Sequence, residues 1–126
     1  MVIFTDTIKY RGKDRLDITV KSAKGFAKLV SPTWLMVRNL KNKIITEEQY
    51  EKEYFLSIEN TLPTFVRKLK ELIKTPKATR TITFVCYCKA NAFCHRKLLA
   101  KHLTENYGFQ YLGERTDYKH NQIKLF

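Results

Sequence analysis

The stretch TITFVCYCKANAFCHRKLLAKHLTENYGFQYL, residues 81–112, decides the fold. Residues 81–88 are β-branched and aromatic, which predicts a strand. Residues 95–106 read as a helix, with Leu98, Leu99 and Leu103 as its apolar stripe and Gly108 as its stop. Residues 109–112 read as a second strand. Together these pieces predict a compact βαβ unit with a right-handed crossover.

Upstream, residues 2–4 are a short apolar run that reads as a strand, and Arg11-Gly12-Lys13 reads as a turn. Leu16, Ile18 and Val20 alternate with Asp17 and Thr19, the period of a strand that ends near Lys21-Ser22. Residues 22–30 are a short helix or an irregular loop. Ser31-Pro32 predicts a helix start, with Ser as cap and Pro in first position, running to about Leu40. Thr46-Glu47-Glu48-Gln49 fits a capping box, followed by Tyr50, Tyr54, Phe55 and Ile58 as an apolar stripe. Leu62, Phe65, Val66, Leu69, Leu72 and Ile73 follow helical spacing opposite Arg67, Lys68, Lys70 and Lys74, and Pro76 ends that helix. Residues 118–126 read as a loosely docked tail. The order predicts an α/β sandwich forming a single domain over residues 1–126, with helices packed on a partly parallel sheet of about four strands.

The chain carries 24 Lys and Arg against 12 Asp and Glu over 126 residues, a net charge of +12 with a pI near 9.7. The stretch from Thr46 to Asn60 holds five acids against one base, so it is negative by four and the remainder carries +16. A field of that size draws polyanions, so the expected partner is nucleic acid, with DNA favoured. The bland alternative is a basic protein with no such partner. A hydrophobic share of 44% excludes disorder of the whole chain, and four Gly and three Pro exclude collagen-like and low-complexity readings. No run approaches the roughly 20 apolar residues of a membrane span, so no membrane partner is expected. Three cysteines, all between Cys86 and Cys94, look like reduced thiols with a local job and point to a cytoplasmic protein.

Chemistry concentrates in residues 84–96, FVCYCKANAFCHR. Cys86 and Cys88 sit two apart at a strand end, so both are expected on one face. Cys94, His95 and Arg96 fall where the next helix begins, beside its unpaired N–H groups and positive end. That place, outside the carboxyl end of a strand, suits an anion such as phosphate. Arg96 is the expected phosphate ligand, because its fork pairs two oxygens at once. Cys94 and His95 are expected to do nucleophile or proton work, since a helix start beside His and Arg lowers a thiol's pKa. Cys86, Cys88, Cys94 and His95 also make a possible zinc set, but adjacent Cys94 and His95 reach one ion poorly and the spacing is not that of a usual knuckle. No metal or cofactor is therefore expected. The alternative for Cys86 or Cys88 is a small buried hydrophobe in the strand.

Two further strand ends should converge on this place. One brings Lys21 and Ser22; the other brings Glu114 and Arg115. Glu114 is a general acid or base, or a solvated carboxylate beside Arg115. Lys89 or Lys21 could form a Schiff base. Trp34, the single tryptophan, is core or a ligand platform with Cys88 at the substrate site. Asp6 and Asp14 read as surface acids. Lys68, Lys70, Lys97 and Lys101 are candidates for contacts to a nucleic-acid backbone.

The sequence resembles the family called domain of unknown function 488, in the short form carried by bacteria and phages. The resemblance lies in LDITVKS (16–22), AKLVSPTWLMV (27–37), EQYEKEY (48–54), TFVCYCKANAFCHRKLL (83–99) and Gly113-Glu114. It implies a small Rossmann-like α/β fold and a shared site around those residues, and it implies no particular reaction. The chain departs from longer members at Cys88, where they carry an acidic residue.

The leading functional expectation is a nucleic-acid-directed enzyme of phage or bacterial origin, a small metal-independent nuclease, lyase or glycohydrolase. Acids outside the 47–59 stretch are few and scattered, which argues against a two-metal nuclease. One alternative is a non-catalytic DNA or RNA binder whose cysteines hold zinc. The other is an enzyme acting on free nucleotides.

Overall fold

The structure, a computed structural model, describes residues 1–74, 80–89 and 93–115. Pro76, residues 90–92 of the motif and the tail at 118–126 lie outside the described residues. The chain divides into two compact units. One is built from the described residues of Met1–Asp17 and Thr79–Phe126, the other from those of Ile18–Ala78.

The first unit holds β1 (Val2–Thr7), β2 (Arg15–Asp17), β3 (Thr81–Cys86), α4 (His95–Tyr107) and β4 (Gln110–Glu114). Its sheet has the order β2-β3-β1-β4, with every pairing parallel. The sheet is thus wholly parallel, where the sequence reading expected it to be partly so. Residues 82–86 are buried without a break, which suits a strand with neighbours on both sides. The edges are a three-residue β2 and an alternately exposed β4. The β3–α4–β4 connection steps over β1, so its two strands are not neighbours.

Register defines the two faces. Val2–Thr7 runs beside Thr81–Cys86 one for one, so Ile3, Thr5 and Thr7 share a face with Ile82, Phe84 and Cys86. β4 breaks that alternation. Ile3 pairs with Tyr111 but Thr5 pairs with Glu114, so two residues, Leu112 and Gly113, stand opposite Phe4 alone. Gly113 has φ +98°, a conformation that a side chain strains, and it makes this bulge possible. The extra residue turns Glu114 onto the face of Thr5 and Cys86, and Arg115 onto the other. There Arg115 lies 3.9 Å above the Phe4 ring and donates to Asp14 Oδ2 at 2.5 Å and Thr83 Oγ1 at 3.1 Å.

Asp14 is therefore buried, not a surface acid. It also accepts from Tyr10 (2.6 Å), Thr81 (2.6 Å) and Thr83 (2.9 Å). Burial alone would raise its pKa, but those three hydroxyls and Arg115 outweigh it and hold the carboxyl low. The network ties down residues 8–14, which join β1 to β2 around β3 in fewer residues than most parallel connections use. Asp6 is half-exposed and accepts from the backbone N–H of Thr7.

The second unit holds a 3-10 helix (Gly25–Val30), α1 (Trp34–Lys41), α2 (Glu47–Ile58) and α3 (Leu62–Ile73). The strand expected over residues 16–20 stops at Asp17 because Thr19 bends the chain. Thr19 Oγ1 accepts from the N–H of Ser22, and its carbonyl accepts from the N–H of Ala23. Ser31 does not start α1; it ends the 3-10 helix, its hydroxyl donates to the Thr19 carbonyl, and Thr33 caps α1 instead. The capping box at Thr46 and Gln49 is present in both directions. Tyr54, fully buried, donates to the Val30 carbonyl at 2.7 Å. Tyr50, Ile58, Leu62, Phe65, Val66 and Leu69 are buried as expected, while Leu72 is exposed. Among the described residues no helix is long and apolar enough to cross a membrane.

Asp14→Asn removes the buried charge that faces half-buried Arg115 and should lower stability by about 1–3 kcal/mol. Asp6→Asn, half-exposed, should change it by less than about 0.5 kcal/mol. Urea denaturation of the two variants at neutral pH checks the contrast.

Candidate functional site

The site forms where α4 starts against the carboxyl ends of β3, β1 and β4. Along α4 the buried positions are His95, Arg96, Leu99, Ala100 and Leu103, so the inward stripe of the helix ends in two polar residues. Gly108, at φ +77°, closes the other end. Cys94 is the N-cap in extended conformation, and its side chain makes no capping bond.

Arg96 is 0% exposed. A guanidinium has five N–H donors, and burial requires a partner for each. Nε donates to Glu114 Oε2 at 3.4 Å. Nη1 donates to Cys86 Sγ at 2.9 Å and the Cys88 carbonyl at 3.0 Å. Nη2 donates to the Lys89 carbonyl at 2.9 Å and Glu114 Oε1 at 2.6 Å. No donor is left for a phosphate. The expected phosphate ligand instead gathers the end of β3, the segment after it and the end of β4 around the head of α4.

Glu114 is likewise committed. Burial pushes its carboxyl up, but the hydrogen bonds from Arg96 and Thr5 and the charges of Arg96 and Lys97 outweigh that and hold it low. Lys97 Nζ stands 3.7 Å from Glu114 Oε1. A carboxylate held ionised in this way is a poor general acid, so Glu114 positions Arg96. Burial and pairing also exclude the solvated alternative. Arg115, expected here beside it, lies on the opposite face of the sheet.

The three cysteine sulfurs lie within 4.8 Å of one another, and all three are free thiols. Cys86 Sγ and Cys94 Sγ are 2.6 Å apart, and His95 Nδ1 is 3.6 Å from Cys94 Sγ. Cys86 and Cys94 are buried and Cys88 is half-buried. Of the three thiols, Cys86 is the one whose ionisation is favoured. Hydrogen bonds from Cys88 and Cys94 push its thiol down furthest, and the charges of His95 and Arg96 add to this against burial. The donors move the other way. Cys88 is pushed up to about 11 by its bond to Cys86, and Cys94 is pushed up for the same reason. So Cys94, the expected nucleophile, is a buried thiol that serves Cys86, and Cys88 is the sulfur nearest solvent.

The other expected residues fall into two places. Lys89 is exposed in the first unit, with its carbonyl on Arg96, and Lys101 is exposed on α4. Lys21, Ser22, Trp34, Lys68 and Lys70 belong to the second unit. Ser22 is bonded to Thr19, Lys68 and Lys70 lie on the exposed side of α3, and Trp34 is 56% exposed at the start of α1, outside any core. Sequence reasoning missed Thr5, Tyr10 and Asp14. Thr5 Oγ1 lies 2.6 Å from Tyr111 Oη and bonds Glu114. The one available signal was Thr5, which directly follows the apolar run Val2–Phe4.

Glu114→Gln takes from buried Arg96 the carboxylate it is paired with, which should cost about 3–5 kcal/mol at neutral pH. The acid limb separates the causes. A carboxyl whose folded pKa lies below its unfolded value of about 4.3 contributes its stability above that pH and loses it as the pH falls through the folded value. The wild type should therefore lose stability below about pH 4 more steeply than Glu114→Gln. Equal slopes in urea titrations from pH 7 to 3 would show that the pair does not form.

No curated protein and no solved structure shows a significant match to the chain. A family model does match, over residues 2–107, a span that takes in the sheet from β1 to β3, all of α4 and the whole Cys86–Arg96 cluster. The chain therefore belongs to the DUF488-N3a family, described as the active DUF488-N3 subclade.

Proposed function

We propose that the chain is an enzyme acting on nucleic acid, DNA first, which it holds by its basic surface and transforms at the Cys86–Cys88–Cys94–His95 cluster. The observation that carries this reading is the buried Arg96–Glu114 pair. An ion pair taken out of water is a weak source of stability compared with apolar packing of the same volume. This one orients a group of mutually shifted thiols at the carboxyl edge of a parallel sheet, the usual place for a ligand in such folds. The description of the subclade as active agrees with catalysis over a purely binding role.

With Arg96 committed, phosphate contact passes to Lys89 and Lys97, which stand beside the cluster. His95 is the candidate to carry a proton there, and Cys88 is the sulfur that a substrate reaches first. The reaction class that fits is hydrolysis or elimination at a phosphate or sugar. Lys101 in the first unit, and Lys68 and Lys70 in the second, are exposed and free to follow a backbone.

Affinity for DNA should fall steeply between about 50 and 200 mM salt, as counterion release requires. Lys68→Ala with Lys70→Ala should weaken binding and leave turnover at saturation nearly unchanged. His95→Gln should abolish turnover while DNA affinity stays within about twofold, since one residue adds little to the whole field. Single-stranded, duplex, and uracil- or abasic-containing DNA are the substrates to try, with thermal melting as the folding control. No detectable binding at low salt, or turnover of free nucleotides alone, would overturn the reading.

A further inference from the structure

We infer that Cys86, Cys88 and Cys94 form a site for one Zn²⁺ ion, held by three thiolates, with the fourth tetrahedral position open. This is independent of whether the substrate is nucleic acid. The sequence argument against zinc is that adjacent Cys94 and His95 reach one ion poorly and that the spacing is not that of a usual knuckle. The structure meets the first point without using His95, because three sulfurs alone lie within 4.8 Å of one another. At a Zn–S bond of about 2.3 Å, tetrahedral geometry places sulfurs about 3.8 Å apart. The Cys86–Cys94 separation, 2.6 Å, has to widen by about 1 Å.

The surroundings fit the charge. A Zn²⁺ ion with three thiolates carries a net charge of −1, the same as a single thiolate among thiols. The neighbours Arg96 and Lys97 outweigh Glu114, and His95 Nδ1 stands 3.6 Å from Cys94 Sγ, so the shell is positive and favours an anionic tris-thiolate site. A buried charged site needs such opposite charge around it. The Arg96 Nη1 donor, 2.9 Å from Cys86 Sγ, is the hydrogen bond that a metal-bound thiolate takes from its outer shell. Sulfur-only ligation selects a thiophilic ion over Mg²⁺ or Ca²⁺. Among the described residues no fourth Cys, His, Asp or Glu joins the three. Three protein ligands with a vacant fourth position are the pattern of zinc sites that bind water or substrate, whereas structural sites are closed by four.

The test uses the full chain, purified without chelator and assayed for metal. The same protein is then stripped, reduced without oxygen, and titrated with Zn²⁺ or Co²⁺ alone. One equivalent of zinc is expected, and cobalt should give thiolate-to-metal charge transfer with tetrahedral visible bands. Cys88→Ser should weaken zinc binding roughly 100-fold or more, since loss of even an outer-shell partner costs 10–100-fold. His95→Ala should keep the full equivalent. The proposal fails if the reduced wild-type chain shows no charge transfer and its three thiols react as free, or if Cys88→Ser binds zinc as well as wild type. Loss of metal in His95→Ala as severe as in Cys88→Ser would close the fourth position and overturn the open site. If Cys88→Ser does not fold, the cobalt titration of the wild-type chain decides by itself. Metal content is read with no nucleic acid present, so a negative result leaves the DNA reading untouched, and failure to bind DNA leaves the metal result standing.

Discussion

A guanidinium that is fully buried must have its five donors met, and Arg96 meets that condition only because four pieces of chain arrive together. The end of β3 brings Cys86, the next residues bring the carbonyls of Cys88 and Lys89, β4 brings Glu114, and α4 brings Arg96 itself. Removing any one leaves a donor or a charge unpaired in a place water does not reach, which costs more than the bond was worth. The start of α4, the turn away from β3 and the end of β4 are thus fixed relative to one another by a single side chain. The sulfur cluster inherits that fixity, since Cys86 is one of the five acceptors and Cys94 immediately precedes the helix.

The bulge at Gly113 lets one strand serve two faces. In a regular strand Glu114 would fall on the face away from Cys86, and Arg115 would take its place toward α4. One extra residue reverses this. The acid then meets Arg96, and the base meets Asp14 across the sheet. Two ion pairs of opposite polarity, one per face, the first buried and the second partly so, hang on adjacent residues. Ala at position 113 would face the strain of φ +98°, and relieving it would pull both pairs out of register.

Local signals were legible in the sequence where the physics is local. The capping box at Thr46, the Gly108 stop and the apolar stripes of α2, α3 and α4 each follow from neighbours within a turn or two. The family resemblance and the α/β class were legible for the same reason, since β3, α4 and the cysteine motif are contiguous. Pairing was not. The all-parallel order rests on register between strands some eighty residues apart. The bulge needs the partner strand to be seen at all. Asp14 looked like a surface acid because its four partners, Tyr10, Thr81, Thr83 and Arg115, mostly lie far along the chain. Arg96 lies beside the cysteines as its place in the motif implies, but its fork faces the protein's own groups, because residue type and spacing do not say whether a fork meets a ligand or the protein's own carbonyls. Thr19 shortened β2 by bonding its own neighbours, a competition that alternation of apolar residues does not register.

Charge in this molecule is set in two ways, paired out of solvent at the cluster and exposed on the surface. At the cluster Arg96 and Lys97 stand against Glu114, and the charge of Arg96 also favours the ionised form of Cys86. Opposite charges set this close add little to the long-range field. The net charge of +12 comes from elsewhere, from side chains such as Lys68, Lys70, Lys89 and Lys101 that stand in solvent. Their pull on a polyanion is screened within about 10 Å at 0.1 M salt, while the buried pairs are screened much less. Salt thus screens the exposed charges without disturbing the geometry of the sulfurs. A charge buried at the cluster meets the least competing dielectric and is felt most strongly there.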